Sequence, residues 1–254
     1  MKATILNTGH LRWRRFSRKS YAVFCSLRRE VSIGVLGVAM LSSCSFVGHD
    51  KEDSILQKGD LLFCIEESDS GGLGEAIISV TQGAQSLNIS HVAIFVGTRS
   101  DEGAAQSSQW IIEAVPDKGV HLVTIQDFFE QIGHDDSMSP LVIAGRLRDT
   151  TGVVASVERS LQYLGRPYDF LYEPSDSAIY CSELVQLSFQ RPDGQCIFPT
   201  IGMTFRDASG EIAEYWQQLY AEHGMPVPEG EPGTNPGAMS RDTAIYLFDI
   251  SFHN

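Results

Sequence analysis

Ala178-Ile179-Tyr180-Cys181-Ser182-Glu183-Leu184-Val185 places a cysteine where a loop ends and an apolar run with helical spacing begins. Leu184, Val185 and Ser188 stand at +3, +4 and +7 from Cys181, so one helix face carries the thiol and packs inward. A thiol in the first helical turn meets unsatisfied backbone N–H groups and the positive end of the macrodipole. Both favour the thiolate, the nucleophilic form. Free cysteine is also among the most buried residue types, so a small core residue is the competing reading of Cys181. The rest of the chain decides between them.

The chain has 254 residues, enough for one large or two small domains. It is 43% hydrophobic and 20% charged, as ordinary globular proteins are, with a formal net charge of -13. That charge is unevenly placed. Residues 1–43 hold eight of the 19 basic residues and one of the 32 acidic ones, which leaves 11 and 31, a net −20, for the remainder. A body this acidic argues against nucleic acid as a partner, because phosphate binding needs a basic face.

The basic leader has its own logic. Arg28-Arg29 precedes Val31-Ser32-Ile33-Gly34-Val35-Leu36-Gly37-Val38-Ala39-Met40-Leu41-Ser42-Ser43-Cys44: a positive segment, a short apolar segment, then small residues before a cysteine. That order reads as an export signal, and the apolar run is too short for a permanent span. Leu41-Ser42-Ser43-Cys44 resembles the bacterial lipobox, which implies lipidation of Cys44 and anchoring at a membrane surface. Ser45, rather than aspartate, after that cysteine favours the outer membrane in a cell that has one. With Cys44 lipidated, Cys64, Cys181 and Cys196 remain, an odd number in an oxidising compartment. At least one thiol stays unpaired within the chain.

The expected organisation is a signal peptide over 1–43, a polar tether over 44–56, and one α+β domain over 57–254. Apolar runs predict strands at 61–65, 90–97, 110–115, 120–123 and 141–144, forming an antiparallel meander with short helices between. Helices are expected over 75–81, 125–132 and 153–165, the last with Val154, Val157, Leu161 and Leu164 on its inner face and Gly165 as its cap. The helix of Cys181 and one over 211–223 follow. The stretch from Met225 to Gly237 is rich in Pro and Gly, which on composition alone suggests disorder. Because Ala244-Ile245-Tyr246-Leu247-Phe248 reads as a strand beyond it, this tail is expected to wrap the body.

Nucleophilic thiol chemistry needs a base and a group that orients the base. His91 opens one strand and Glu113 lies on the next, so the two can meet across a hairpin. A carboxylate between Ile112 and Ala114 is costly to bury unless it is paired, and His91 is the natural partner. A capped edge residue with a satisfied ring is the alternative reading of His91.

Lys58-Gly59-Asp60-Leu61-Leu62-Phe63, Ser90-His91-Val92-Ala93-Ile94, Glu113-Ala114-Val115 and Tyr180-Cys181-Ser182-Glu183-Leu184-Val185 together resemble the NlpC-type papain-like cysteine hydrolases. The order His91, Glu113, Cys181 is similar to the circularly permuted YiiX/YebB-like branch, since the usual members place the cysteine first. The resemblance spans roughly 57 to 250 and extends to Pro232-Gly233-Thr234-Asn235-Pro236. It implies a papain-like α+β fold, an antiparallel sheet or small barrel packed on helices, and a triad of Cys181 as nucleophile, His91 as base and Glu113 as orienter. It implies no cofactor. The backbone N–H of Cys181 supplies one oxyanion donor. Tyr180 and Tyr168 are candidates for the second, with packing as their alternative role. Asp169, Asp176 and Glu183 are candidates for shaping the pocket, with loop charge or helix capping as theirs.

The expected substrate is a peptide amide of the cell envelope, peptidoglycan first. A lipid amide or ester, cleaved or transferred, is the second reading, and a non-catalytic binding lipoprotein is the third. A metal site built from His91, Glu113 and Cys181 is weaker, since no CxxC or HExxH pattern supports it. The sequence carries no sign of oligomeric state.

Overall fold

The apolar run after the Lys58-Gly59-Asp60 turn forms the strand β1 (Leu61–Ile65), with Leu61 to Cys64 all buried, so this strand is covered on both faces. The computed structural model describes residues 55–66, 72–100, 107–132, 142–175 and 177–250. The leader, Cys44, nearly all of the tether, Leu141 and Asp176 lie outside the described residues. Next in order come α1 (Gly72–Val80), β2 (Ile89–Ser100), β3 (Ser107–Val115), β4 (Gly119–Thr124), α2 (Ile125–Ile132) and β5 (Val142–Leu147). The second half holds α3 (Val153–Leu161), α4 (Cys181–Ser188), β6 (Ile201–Gly202), α5 (Glu214–Glu222), β7 (Pro232–Gly233), α6 (Pro236–Ser240) and β8 (Ile245–Asp249).

Six strands form one antiparallel sheet in the order β4-β3-β2-β1-β5-β8. The expected meander holds for β1 to β4. β5 does not continue it beside β4; it returns to the far side of β1, where Phe63 pairs with Ile143. The reason is chemical as well as topological. Arg146, which the sequence suggested lies beyond the strand, is inside β5 and reaches the buried carboxylate of Asp60 with two bonds, from Nε at 2.8 Å and Nη2 at 2.7 Å.

Period-two alternation gives the sheet two faces. Phe63, Val92, Ile94, Ile112 and Ala114 pack against Leu184 and Val185 of α4 and Val157 of α3. Leu62, Ala93, Phe95, Ile111 and Val123 pack against Phe128 of α2. A third cluster joins α1 to α5 through Ile77, Met203, Phe205, Trp216 and Tyr220.

α3 corrects one expectation. Val153, Ser156, Val157 and Ser160 are its buried residues, whereas Val154 and Leu164 are 56% and 42% exposed. The serines can turn inward because each hydroxyl donates to a backbone carbonyl of the same helix, Ser156 to Gly152 and Ser160 to Val157. Arg159 then donates to the Ser188 carbonyl at the end of α4, tying the two helices together.

The Pro/Gly tail wraps the body, as expected. β7 pairs with β6, and Asn235 caps α6 by accepting from Ala238 N–H at 2.6 Å, with Pro236 in the first turn where its missing N–H is not needed. β8 then completes the sheet against β5.

Candidate active site

α4 owes its start to the preceding loop. Gly119 closes the β3–β4 hairpin with φ +64°, a backbone state costly for other residues, and an added Cβ there would meet the Arg166 carbonyl. Close approach allows Val120 N–H to donate to Arg166 O and Gly165 N–H to donate to Val120 O, both at 2.8 Å. Ile179 N–H donates to Pro167 O at 2.9 Å, so the loop that delivers Cys181 is laced to β4 at one end and to itself at the other. The Tyr180 N–H donates to Glu183 Oε2 at 3.4 Å, the helix-capping role for that acid. The first helical bond runs from Leu184 N–H to Tyr180 O, which leaves Cys181 and Ser182 N–H without acceptors inside the helix.

A row of polar side chains crosses the sheet near this helix start. Cys64 on β1 pairs with His91 on β2, and the register shifts at that point, with Ile65 opposite Ile89. The irregularity disturbs alternation beside His91, as bulges near functional sites often do. His91 Nε2 lies 2.8 Å from Glu113 Oε2 on β3. Glu113 in turn faces His121 on β4, whose Nε2 stands 3.5 Å from Oε1. Glu113 is 4% exposed and is thus held between two imidazoles. Sequence reading paired it with His91 alone; the hairpin register also brings in His121.

Cys181 is 3% exposed, and the His91 ring interacts with it as well as with Glu113. Burial alone would lower the His91 pKa, but hydrogen bonding and charge from Cys181 and Glu113 push it up from 6.5 to about 10. Burial alone would raise Glu113, but the His91 hydrogen bond and charge, then the charges of His121 and Lys118, hold it below its ordinary 4.5. Burial, then the neighbouring Glu113, Cys181 and Glu66, push the Cys64 thiol well up. Cys64 is therefore protonated at neutral pH and a poor nucleophile. All three described cysteines are free.

These opposite shifts define a pH window. With its pKa raised on folding, His91 contributes stability fully below 6.5, and the contribution is lost as pH rises to about 10. With its pKa lowered, Glu113 contributes fully above 4.5 and loses its contribution as pH falls through its folded value. Urea midpoints of wild type and Glu113→Gln should therefore differ most between about 4.5 and 6.5 and converge toward pH 10. A gap that widens with rising pH would contradict the pairing.

Both candidate tyrosines are buried. The Tyr180 hydroxyl accepts from Thr234 N–H at 3.0 Å, and the Thr234 hydroxyl donates to Ser182 Oγ at 3.1 Å, which fastens the tail to the start of α4. Burial pushes Tyr180 up to about 12, partly offset by Thr234, so it stays protonated. Tyr168 packs edge-on against Phe170 at 5.1 Å, and burial, then Cys181, raise its pKa. Asp169 is also buried, and its Oδ1 accepts from Leu171 N–H at 2.9 Å.

Cys181 and Ser182 line a shallow cleft with a volume of about 40 Å³. Its walls come from α1, Tyr172, residues 203–205, Trp216 and the tail at 234–236.

A thiol at a helix start beside a paired His and Glu on the sheet, in the chain order His91, Glu113, Cys181, is the arrangement the sequence resemblance implies. A family model described as "Permuted papain-like amidase enzyme, YaeF/YiiX, C92 family" matches residues 55–247. The chain belongs to this family. It is a permuted papain-like amidase in class, a cysteine-peptidase-like hydrolase. Among solved structures, that of metalloprotein yiiX from Escherichia coli O157:H7 is similar, with a TM-score of 0.57, 20% identity, and coverage of 78% of this chain and 98% of its own. At that identity the likeness is one of fold. None of the curated proteins matches. Among the described residues no group of three or more His, Cys, Asp or Glu is arranged to hold a metal ion.

Proposed function

We propose that this amidase works through a triad of Cys181, His91 and Glu113. The observation that supports the reading most is the 2.8 Å His91–Glu113 pair beside a thiol in the first turn of α4. Glu113 orients the His91 ring and favours its protonated form. A protonated imidazole next to sulfur stabilises thiolate. The thiolate attacks the amide carbonyl, and the oxyanion forms against the free N–H groups at the start of α4. His91 gives its proton to the leaving amine as the C–N bond breaks. It then takes a proton from water, which attacks the thioester and frees the acid and the thiol.

The enzyme is further proposed to act at the cell envelope, anchored through a lipidated Cys44. Export makes envelope peptides, peptidoglycan among them, the first substrates to assay. An acyl amide of a lipid is the second reading, and the uncharged lining of the cleft favours it.

Iodoacetamide labelling tests the triad. At pH 7, Cys181 of the wild type should react at least about tenfold faster than in His91→Ala, with Glu113→Gln between the two. Equal rates would remove the activation of the thiol and leave a binding protein.

A further inference from the structure

We infer that the cavity at the far end of α4 from the thiol is a second binding site. It takes a small zwitterion, whose anionic group meets Arg148 and Arg191 and whose ammonium group meets Asp149 and Asp193. The inference stands apart from the thiol chemistry and is tested without it.

Place is the first argument. Three segments meet there: the chain leaving β5 at Leu147, Arg148, Asp149 and Thr151, the turn after α4 at Arg191 to Asp193, and Ala244 just before β8. They enclose about 340 Å³, a volume typical of the smaller ligand sites, and share no residue with the cleft at Cys181. Cys181 opens α4 and Arg191 lies beyond its last residue, Ser188, so the helix, about 12 Å long, separates the two.

The segments are also tied down. Arg148 N–H donates to Ala244 O at 2.8 Å, which joins the exit of β5 to the entry of β8. Arg191 N–H donates to Gln195 O at 2.8 Å and Gly194 N–H to Arg191 O at 2.9 Å, which closes the turn after α4. A cavity framed in this way loses little freedom when a ligand arrives.

Charge is the second argument. Beyond residue 43 the chain holds 31 acidic residues against 11 basic, yet this cavity is lined by two of each. Among the described residues none of the four makes an ion pair. Each is oriented by other means. Asp149 Oδ1 accepts from Thr151 N–H at 2.9 Å, and Asp193 Oδ1 from Gln195 N–H at 3.0 Å. Arg148 Nε donates to Thr243 O at 3.2 Å, and its guanidinium lies over the Tyr246 ring at 5.7 Å. Bonds from Thr151, then the charge of Arg191, hold the Asp149 carboxyl below its ordinary 3.8, so it is ionised at neutral pH. An anion alone would meet two carboxylates, and a cation alone two guanidinium groups. Only a ligand with both charges is matched throughout. Buried Leu147 and half-buried Ile197 supply apolar surface for the short link between its ends.

Two kinds of compound carry an ammonium and an anionic group this close together: short peptides with free ends, and the phosphoethanolamine head groups of lipids. Titration calorimetry on the full-length protein tests the site with alanyl-alanine and with O-phosphoethanolamine. At least one should bind saturably, and the tighter of the two identifies the source. Removing one charge, as in N-acetyl-alanyl-alanine, alanyl-alanine amide, inorganic phosphate or ethanolamine, should weaken binding of that ligand at least about tenfold. Arg191→Gln should cost a similar factor. Asp193→Asn should weaken the zwitterion but leave the singly charged anion no worse bound, a split that misfolding does not produce. Both side chains are exposed, so neither change disturbs the core. No saturable binding of either zwitterion, equal binding of the singly charged analogues, full affinity in Arg191→Gln, or a uniform loss in Asp193→Asn would each overturn the site.

Discussion

Cys181→Ser will lose amidase activity by about 10⁴-fold or more in kcat/KM while melting within a few degrees of the wild type. The two side chains are nearly the same size, and the site is 3% exposed at the first turn of α4, so packing changes little. What changes is the nucleophile. A serine hydroxyl holds its proton far more tightly than a thiol, so no thiolate-like nucleophile is available at neutral pH. Cys64 cannot substitute, since burial and the neighbouring Glu113 keep its own thiol protonated. The measurement is turnover, by the purified variant, of whichever amide the wild type cleaves fastest. Retention of more than about one per cent of wild-type activity would mean that Cys181 is not the nucleophile.

Arg146→Ala will be the most destabilising of the simple substitutions away from the thiol, by about 3–5 kcal/mol. Asp60 is 1% exposed, and its carboxylate accepts from Arg146 Nε at 2.8 Å, from Nη2 at 2.7 Å and from Gln57 N–H at 2.7 Å. The guanidinium also donates to Ile55 O and lies over the Phe248 ring at 4.8 Å, so it binds β1, β5, β8 and the incoming chain together. Removing it strands a buried carboxylate, which is the expensive half of breaking such a pair. In a domain of this size the cost corresponds to a melting temperature lower by about 6–20 °C. Arg146→Lys, which keeps the charge and loses the fork, should recover part of it. A double change to apolar residues of similar volume, Asp60→Leu with Arg146→Met, should sit well above the single variant. A shift below about 2 °C for Arg146→Ala would show that the pair contributes little.

Local chemistry was legible in the sequence wherever one element settled it. The spacing behind Cys181 marked the inner face of α4, and the cost of a carboxylate between Ile112 and Ala114 identified the His91–Glu113 pair. His121 was equally open to reading: counting back two residues on each side from the Val115–Gly119 pair puts it opposite Glu113. The pattern does not call for it, because one partner already satisfies the carboxylate. α3 misled because a valine and a leucine outrank two serines on any hydrophobic scale, whereas hydroxyls bonded within the helix are small and bury easily. The return of β5 to β1 and the wall of the cleft lay beyond such reasoning. They join residues from α1, from 203–216 and from 234–236, distant stretches that no periodicity relates.

The bonds from Thr234 to Tyr180 and Ser182 set the order in which the molecule acquires its chemistry. His91 and Glu113 emerge early in synthesis and the thiol much later. Thr234, Asn235 and Pro236 are part of the lining of the cleft, and β8, the strand after them, completes the sheet among the described residues. A growing chain therefore carries Cys181 before Thr234, Asn235 and Pro236 can take their places beside it. The lining around the thiol is complete only once the chain beyond α5 has folded back onto the start of α4.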